Sequence, residues 1–125
     1  MLLDTCALLW LAAGSKELSP VARKRIQATP DLHISALTGF EIALKNRSGK
    51  LVLPAQPDEW LEVVLSHHGI DVIPLDLQIC TTAVQLPTIH RDPCDRFIIA
   101  TARINHWPVV TADRHFEEYG IEVVC

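Results

Sequence analysis

Four carboxylates stand out by where they fall in the chain. Asp4 directly follows the apolar run Met1–Leu3, and Asp113 lies just beyond Val109 and Val110, so each closes a predicted strand. Asp95 heads a helical stripe continued by Ile98, Ile99 and Ala102, which puts a carboxylate at the start of a buried face. Glu41 lies mid-helix between Leu37 and Leu44. Each also has a plain structural reading. Asp4 serves as the cap of the helix that follows it, Asp113 as a turn or cap residue, and Asp95 as a first-turn acid facing back to Asp92. Glu41 pairs with Lys45 one turn on, an interaction worth only ~0.2 to 0.5 kcal/mol. Taken together, the four imply more. Carboxylates gathered in a desolvated crevice repel one another and raise one another's pKa, and a divalent cation relieves that repulsion. An all-oxygen set selects Mg²⁺ or Mn²⁺ over zinc or copper. Such an ion can hold a phosphodiester, activate a water and stabilise the leaving oxygen. The chemistry implied is phosphodiester hydrolysis.

The elements that must position these acids are legible as alternating strands and helices. Met1–Leu3 is a short buried strand, and Cys6–Ala13 is a helix apolar on every side that stops at Gly14. Ser19-Pro20 opens a basic amphipathic helix, Val21–Ala28, and Leu32–Ile34 is a second strand. Helices follow over Ser35–Ser48 and, behind an acidic cap at Asp58, to His68. Ile70–Leu75 is a third strand, and an Asp76-capped helix runs to Leu86. Asp92-Pro93 opens a helix to about His106. Val109-Val110 and Ile121–Val124 supply two further strands around a helical turn at His115–Tyr119. Short, wholly apolar strands joined by helices make an α/β fold with a mostly parallel sheet covered on both faces. In such sheets ligands bind beyond the carboxyl ends of the strands, where Asp4 and Asp113 fall. The length of 125 residues fits one domain, residues 1–125.

Composition narrows the setting. The chain is 49% hydrophobic, enough to fold. Its longest apolar run, Cys6–Ala13, is far too short to cross a bilayer and nothing resembles an export signal, so a cytoplasmic protein away from membranes is expected. Cys6, Cys80, Cys94 and Cys125 form no C-x-x-C pair and read as reduced, mostly buried small hydrophobes. The six histidines show no metal-binding spacing, so no His/Cys metal site is expected. The net charge of −4 does not exclude a nucleic-acid partner. If four carboxylates converge on a cation, the remaining acids and bases balance. Among the basic residues, Arg23 to Arg25 read as a solvated helix face, whereas Lys45, beside Glu41, is the better phosphate contact. Arg96 points away from Asp95 on its helix and either pairs with another carboxylate or contacts a phosphate. Trp10 reads as core; Trp60 is open between core and interface.

These residues resemble a known family, the PIN domain, and within it the VapC-like ribonuclease toxins of type II toxin–antitoxin pairs. The resemblance is carried, in order, by Leu2-Leu3-Asp4-Thr5, by Phe40-Glu41-Ile42-Ala43-Leu44-Lys45, by His90-Arg91-Asp92-Pro93-Cys94-Asp95-Arg96-Phe97-Ile98-Ile99-Ala100 and by Val110-Thr111-Ala112-Asp113. It spans the chain from end to end and implies a three-layer α/β/α sandwich. By position, it makes Asp4, Glu41, Asp95 and Asp113 the catalytic quartet binding Mg²⁺ or Mn²⁺, with Asp4 and Asp95 as direct ligands. Glu41 then acts through water or on a second ion. Thr5 and Thr111 orient the site, Asp92 caps and orients, and Lys45 and Arg96 meet the RNA substrate. The family further implies a VapB-like antitoxin and a homodimer. Cys6 stands where this subfamily often has a histidine, and the first strand is short. The alternative is a catalytically inactive PIN scaffold acting as an interaction module, whose expected mark, a lost carboxylate, is absent. A structure-specific DNA nuclease would need room for clamping additions. A phosphoacceptor receiver would need paired acids after the first strand.

Overall fold

Short apolar strands with no polar face must be covered on both sides, and their order decides which strand ends meet. The computed structural model describes residues 1–125. In chain order the elements are β1 (Leu2–Leu3), α1 (Thr5–Ala13), α2 (Pro20–Ala28), β2 (Leu32–Ser35), α3 (Ala36–Arg47), α4 (Pro57–His68), β3 (Ile70–Ile73), α5 (Leu77–Gln85), α6 (Pro93–Asn105), β4 (Val109–Val110), a 3₁₀ turn (Arg114–Tyr119) and β5 (Val123–Val124). Five strands form one sheet in the order β3-β2-β1-β4-β5, and every pairing is parallel. The chain winds outward from β1 through β2 to β3, then crosses back to lay β4 on the other side of β1. The direction of winding therefore reverses between β1 and β4, where Leu2 pairs with Val109 and Leu3 with Val110.

Strand alternation divides the core into two layers. Leu3 and Val110 point to one face with Leu8, Ile34 and Ile42, while Leu2 and Val109 point to the other with Ile99 and Phe116. Helices cover both faces, giving the expected α/β layering. Trp10 and Trp60 are partly buried and pack on the first layer. No helix is long and apolar enough to cross a membrane.

Short polar side chains start most of the helices. Ser19, Ser35 and Asp76 accept from the amides of Ala22, Leu37 and Ile79 at 3.0, 3.1 and 2.8 Å. Four details differ from expectation. Gln56, not Asp58, holds the cap position of α4, because Pro57 opens the helix and leaves Asp58 in its first turn, where the helix dipole favours an acid. β3 stops at Ile73, since Pro74 has no amide to continue a ladder. β5 is reduced to Val123–Val124, although Ile121 is still buried. All four cysteines are free, as expected, but none is buried: Cys6 is exposed and the others are half-buried.

Phe116 is fully buried against the β1/β4 layer. Phe116→Ala should lower unfolding free energy by about 3 to 5 kcal/mol. Urea denaturation followed by circular dichroism measures this, and a loss below about 1 kcal/mol would refute the packing assignment.

Candidate active site

The reversal between β1 and β4 brings two strand ends side by side. The amide of Asp4 donates to the carbonyl of Val110 at 3.1 Å, and that of Thr111 to the carbonyl of Val124 at 3.1 Å. Asp4 and Asp113 thus leave the sheet at the same edge, in the crevice such a reversal opens. Asp4 caps α1, its Oδ1 accepting from the amide of Ala7 at 2.8 Å. That structural reading is correct but partial, since one cap bond uses a single oxygen. The residue is only 8% exposed. Burial pushes its pKa up, the Thr111 hydroxyl and the Ala7 amide draw it back, and the charges of Glu41 and Asp113 push it further up.

Glu41 is held on α3 by two partners. The Thr5 hydroxyl donates to its Oε1 at 2.6 Å, and Lys45 Nζ lies 3.2 Å from its Oε2. The Thr5 hydroxyl also lies 3.2 Å from that of Thr38. The helix pair with Lys45 is therefore real, yet Glu41 is in addition tied across to α1. Burial would lower the pKa of the Lys45 ammonium, but the hydrogen bond and charge of Glu41 hold it above its ordinary value.

Asp95 opens α6 behind Asp92, which caps the helix by accepting from the Cys94 amide at 3.0 Å. The Asp95 pKa is pushed up to about 6, first by burial and then by the charge of Asp92. His90 opposes this, and Asp4 and Glu41 add to it. Asp113 goes the other way. Burial would raise its pKa, but hydrogen bonds from His90 and from the amide and ring of His115 hold it below the ordinary carboxylate value. His115 reaches Oδ1 through its amide and through Nδ1, each at 2.9 Å. The amide of Asp113 donates to the Thr111 hydroxyl oxygen at 3.0 Å, so Thr111 touches both strand-end acids.

One member of this cluster was missed from the sequence. His90 Nε2 lies 2.7 Å from Asp113 Oδ2 and 3.1 Å from Asp95 Oδ2. The ligand atoms of His90, Asp95 and Asp113 all fall within 4.8 Å of one another. The expectation of no His/Cys metal site was drawn from spacing, whereas the contact with Asp113 spans 23 residues, across α6 and β4. The four predicted acids therefore divide. Asp95 and Asp113 form a compact group with His90, while Asp4 and Glu41 stand outside that group and act on it through charge. As a donor set they fit a hard divalent cation: the oxygens predominate, the acids repel one another, and a single ammonium, Lys45, offsets them.

Arg96 does not play the part expected of it. Its Nε donates to the carbonyl of Ala83 at 3.0 Å, one terminal nitrogen to Pro87 and His90 at 3.0 Å each, the other to Val84 at 3.3 Å and Leu86 at 2.7 Å. A guanidinium carries five N–H groups, and all five are engaged, leaving none for a phosphate. Arg96 ties down the last turn of α5 and the loop that follows it. Beside it, a groove of about 370 Å³ is lined in part by His90, Arg91, Pro93 and Phe97.

A family model described as the PIN domain matches residues 1–122. The chain belongs to the PIN-domain family. It is 30% identical over 120 residues to Ribonuclease VapC22 of Mycobacterium tuberculosis, covering 95% of this chain and 91% of that one. Among solved structures, this PIN domain is similar to VapBC2 from Rickettsia felis bound to a fragment of promoter DNA, with a TM-score of 0.73 at 14% identity over 98% of this chain and 96% of that one. It is also similar to a toxin–antitoxin complex from Klebsiella pneumoniae, with a TM-score of 0.68 at 23% identity over 99% and 95%. These likenesses bear out the three-layer α/β/α fold.

Two expectations follow for this PIN domain. A carboxylate with a raised pKa in the fold stabilises only while protonated, fully below its unfolded value of ~3.9, and that contribution is lost as pH rises through about 6. The metal-free protein should therefore melt at lower temperature at pH 7 than at pH 5, and Asp95→Asn should flatten the difference, as differential scanning fluorimetry reads directly. Arg96→Lys keeps the charge but loses the five-fold fork, and should lower stability by about 2 kcal/mol or more in urea unfolding.

Proposed function

We propose that this chain is a metal-dependent endoribonuclease of the VapC kind, hydrolysing RNA phosphodiester bonds at its acidic site. The observation that supports the reading is the acidic crevice at the sheet reversal, where Asp95 and Asp113 lie together and Asp4 and Glu41 act on them through charge, in a fold whose curated relative is a ribonuclease. Asp4, Asp95 and Asp113 would hold Mg²⁺ or Mn²⁺, with Glu41 placed for a water-mediated contact. When bound, such an ion supplies charge neutralisation for the phosphodiester and lowers the pKa of a coordinated water.

The chain's own groups account for the rest. A carboxylate of the site not spent on the ion would take a proton at its oxygen from an attacking water. The Thr5 hydroxyl fixes the rotamer of Glu41, and the Thr111 hydroxyl fixes Asp4 and the turn into Asp113. Lys45, whose side chain is 40% exposed, offers its ammonium to a phosphate at the mouth while remaining paired with Glu41. We further propose that a VapB-like antitoxin neutralises the activity, as the toxin–antitoxin complexes among the structural neighbours suggest, and that the chain forms a homodimer. Exposed apolar side chains such as Leu77, Val84 and Val63 give such partners surface to cover.

The test is cleavage of a labelled small-RNA pool by the purified chain with Mg²⁺, Mn²⁺ or EDTA. Discrete products are expected with metal and none with EDTA, and Asp4→Asn or Asp95→Asn should each lower the rate by about a hundredfold or more while the fold persists. Undiminished cleavage by either variant would sink the site assignment. No cleavage with either metal by the folded, antitoxin-free chain would favour the inactive scaffold. Lys45→Ala should raise KM several-fold with kcat nearly unchanged, since it removes binding felt equally by substrate and transition state.

A further inference from the structure

The loop between α5 and α6 is built around one imidazole. Arg96 takes the carbonyls of Leu86, Pro87 and His90. The Tyr119 hydroxyl accepts from the amide of His90 at 2.7 Å and donates to the carbonyl of Pro87 at 2.9 Å, so it bridges the same loop. The ring of His90 meets the edge of the buried Phe116 at a centroid distance of 5.9 Å and an interplanar angle of 82°. Backbone, ring and loop are thus fixed together, and the product is a single atom, Nε2, set 2.7 Å from Asp113 Oδ2 and 3.1 Å from Asp95 Oδ2. Neighbouring ligands on an octahedral cation, each at ~2.1 to 2.2 Å, lie roughly 3 Å apart. Nε2 lies near that spacing from both oxygens, and all three atoms fall within 4.8 Å of one another, compact enough to close on one such cation.

We infer that His90 is a direct nitrogen ligand of the metal centre, which makes this a mixed nitrogen–oxygen site preferring a first-row transition dication such as Mn²⁺ over Mg²⁺. The inference rests on the metal-dependent reading above and adds a ligand to it. Mg²⁺ is hard, holds its waters and favours oxygen, whereas an imidazole nitrogen suits transition metals. Arg96 and Tyr119 are positioning residues, acting on the ion only through the loop that carries His90. Arg96 directly follows Asp95 in sequence, yet its hydrogen bonds and those of Tyr119 converge on His90 and on the two residues at the start of its loop, Leu86 and Pro87.

Two measurements on the purified full chain test it: Mn²⁺ and Mg²⁺ binding isotherms, and the pulsed EPR signal of bound Mn²⁺, which reports a directly coordinated nitrogen. The native chain is expected to show nitrogen modulation. His90→Gln should lose the modulation and weaken Mn²⁺ by about tenfold, with Mg²⁺ affinity changed less than about twofold. His115→Gln, which removes the other imidazole near Asp113, should keep the modulation. Tyr119→Phe keeps the buried ring and drops only the hydroxyl, and should weaken Mn²⁺ several-fold with native circular dichroism. Mn²⁺ bound without nitrogen modulation overturns the inference and leaves the ribonuclease reading standing. So does modulation that survives in His90→Gln and disappears in His115→Gln. A folded chain that binds neither ion overturns both.

Discussion

Like charges forced together at the reversal of a parallel sheet are the constraint around which this molecule is organised. The winding order sets β1 beside β4, so the residues leaving those strands must share one crevice. Those residues are Asp4 and Asp113, and packing of α3 and α6 adds Glu41 and Asp95. The consequence is visible in their ionisation. Asp4 and Asp95 are driven toward the protonated form by burial and then by neighbouring carboxylates, while Asp113 is kept charged by two histidines. Such an arrangement suits a cation, whose charge would offset the repulsion among the acids.

Helix capping supplies much of the geometry. Asp4, Asp92 and Asp113 each accept from an amide at the start of a helix or turn. The cap bond fixes the side chain's rotamer, and the positive helix end helps an acid remain near other acids. Capping and ligation are therefore not rival readings at Asp4 and Asp113. The two are compatible, since a carboxylate has two oxygens and a cap takes one. Glu41, which sits mid-helix with no cap to hold it, is steadied instead by Thr5 and Lys45.

The loop between α5 and α6 follows a different logic. Arg96 has been recruited away from the solvent and the substrate to satisfy carbonyls left open by the end of α5 and by its connection. That clamp and the Tyr119 hydroxyl together hold the loop and give the imidazole between Asp95 and Asp113 a fixed place. A charged side chain thus contributes to the site indirectly, by immobilising the backbone on which another residue stands.

Alternating short apolar strands and capped helices were legible in the sequence because their signals are local: periodicity, Pro at a helix start, Gly14 and Gly69 at helix ends. The positions of the four acids at strand ends and on helices were legible for the same reason, since each stands at a fixed offset from its own strand or helix. Where neighbouring signals competed, at Pro57 and Asp58 or at Pro74, the local reading placed a cap or a strand end one or two residues astray. His90 and Arg96 were beyond reach from sequence. The partners of His90 lie on α6 and after β4, and those of Arg96 are backbone carbonyls whose availability depends on where α5 ends and how its loop turns. Spacing fixes direction along one helix or strand. Only the packing of α5 against α6 and the placing of β4 beside β1 fix distances between them, and those distances decided which nitrogen meets the acids and which cannot meet a phosphate.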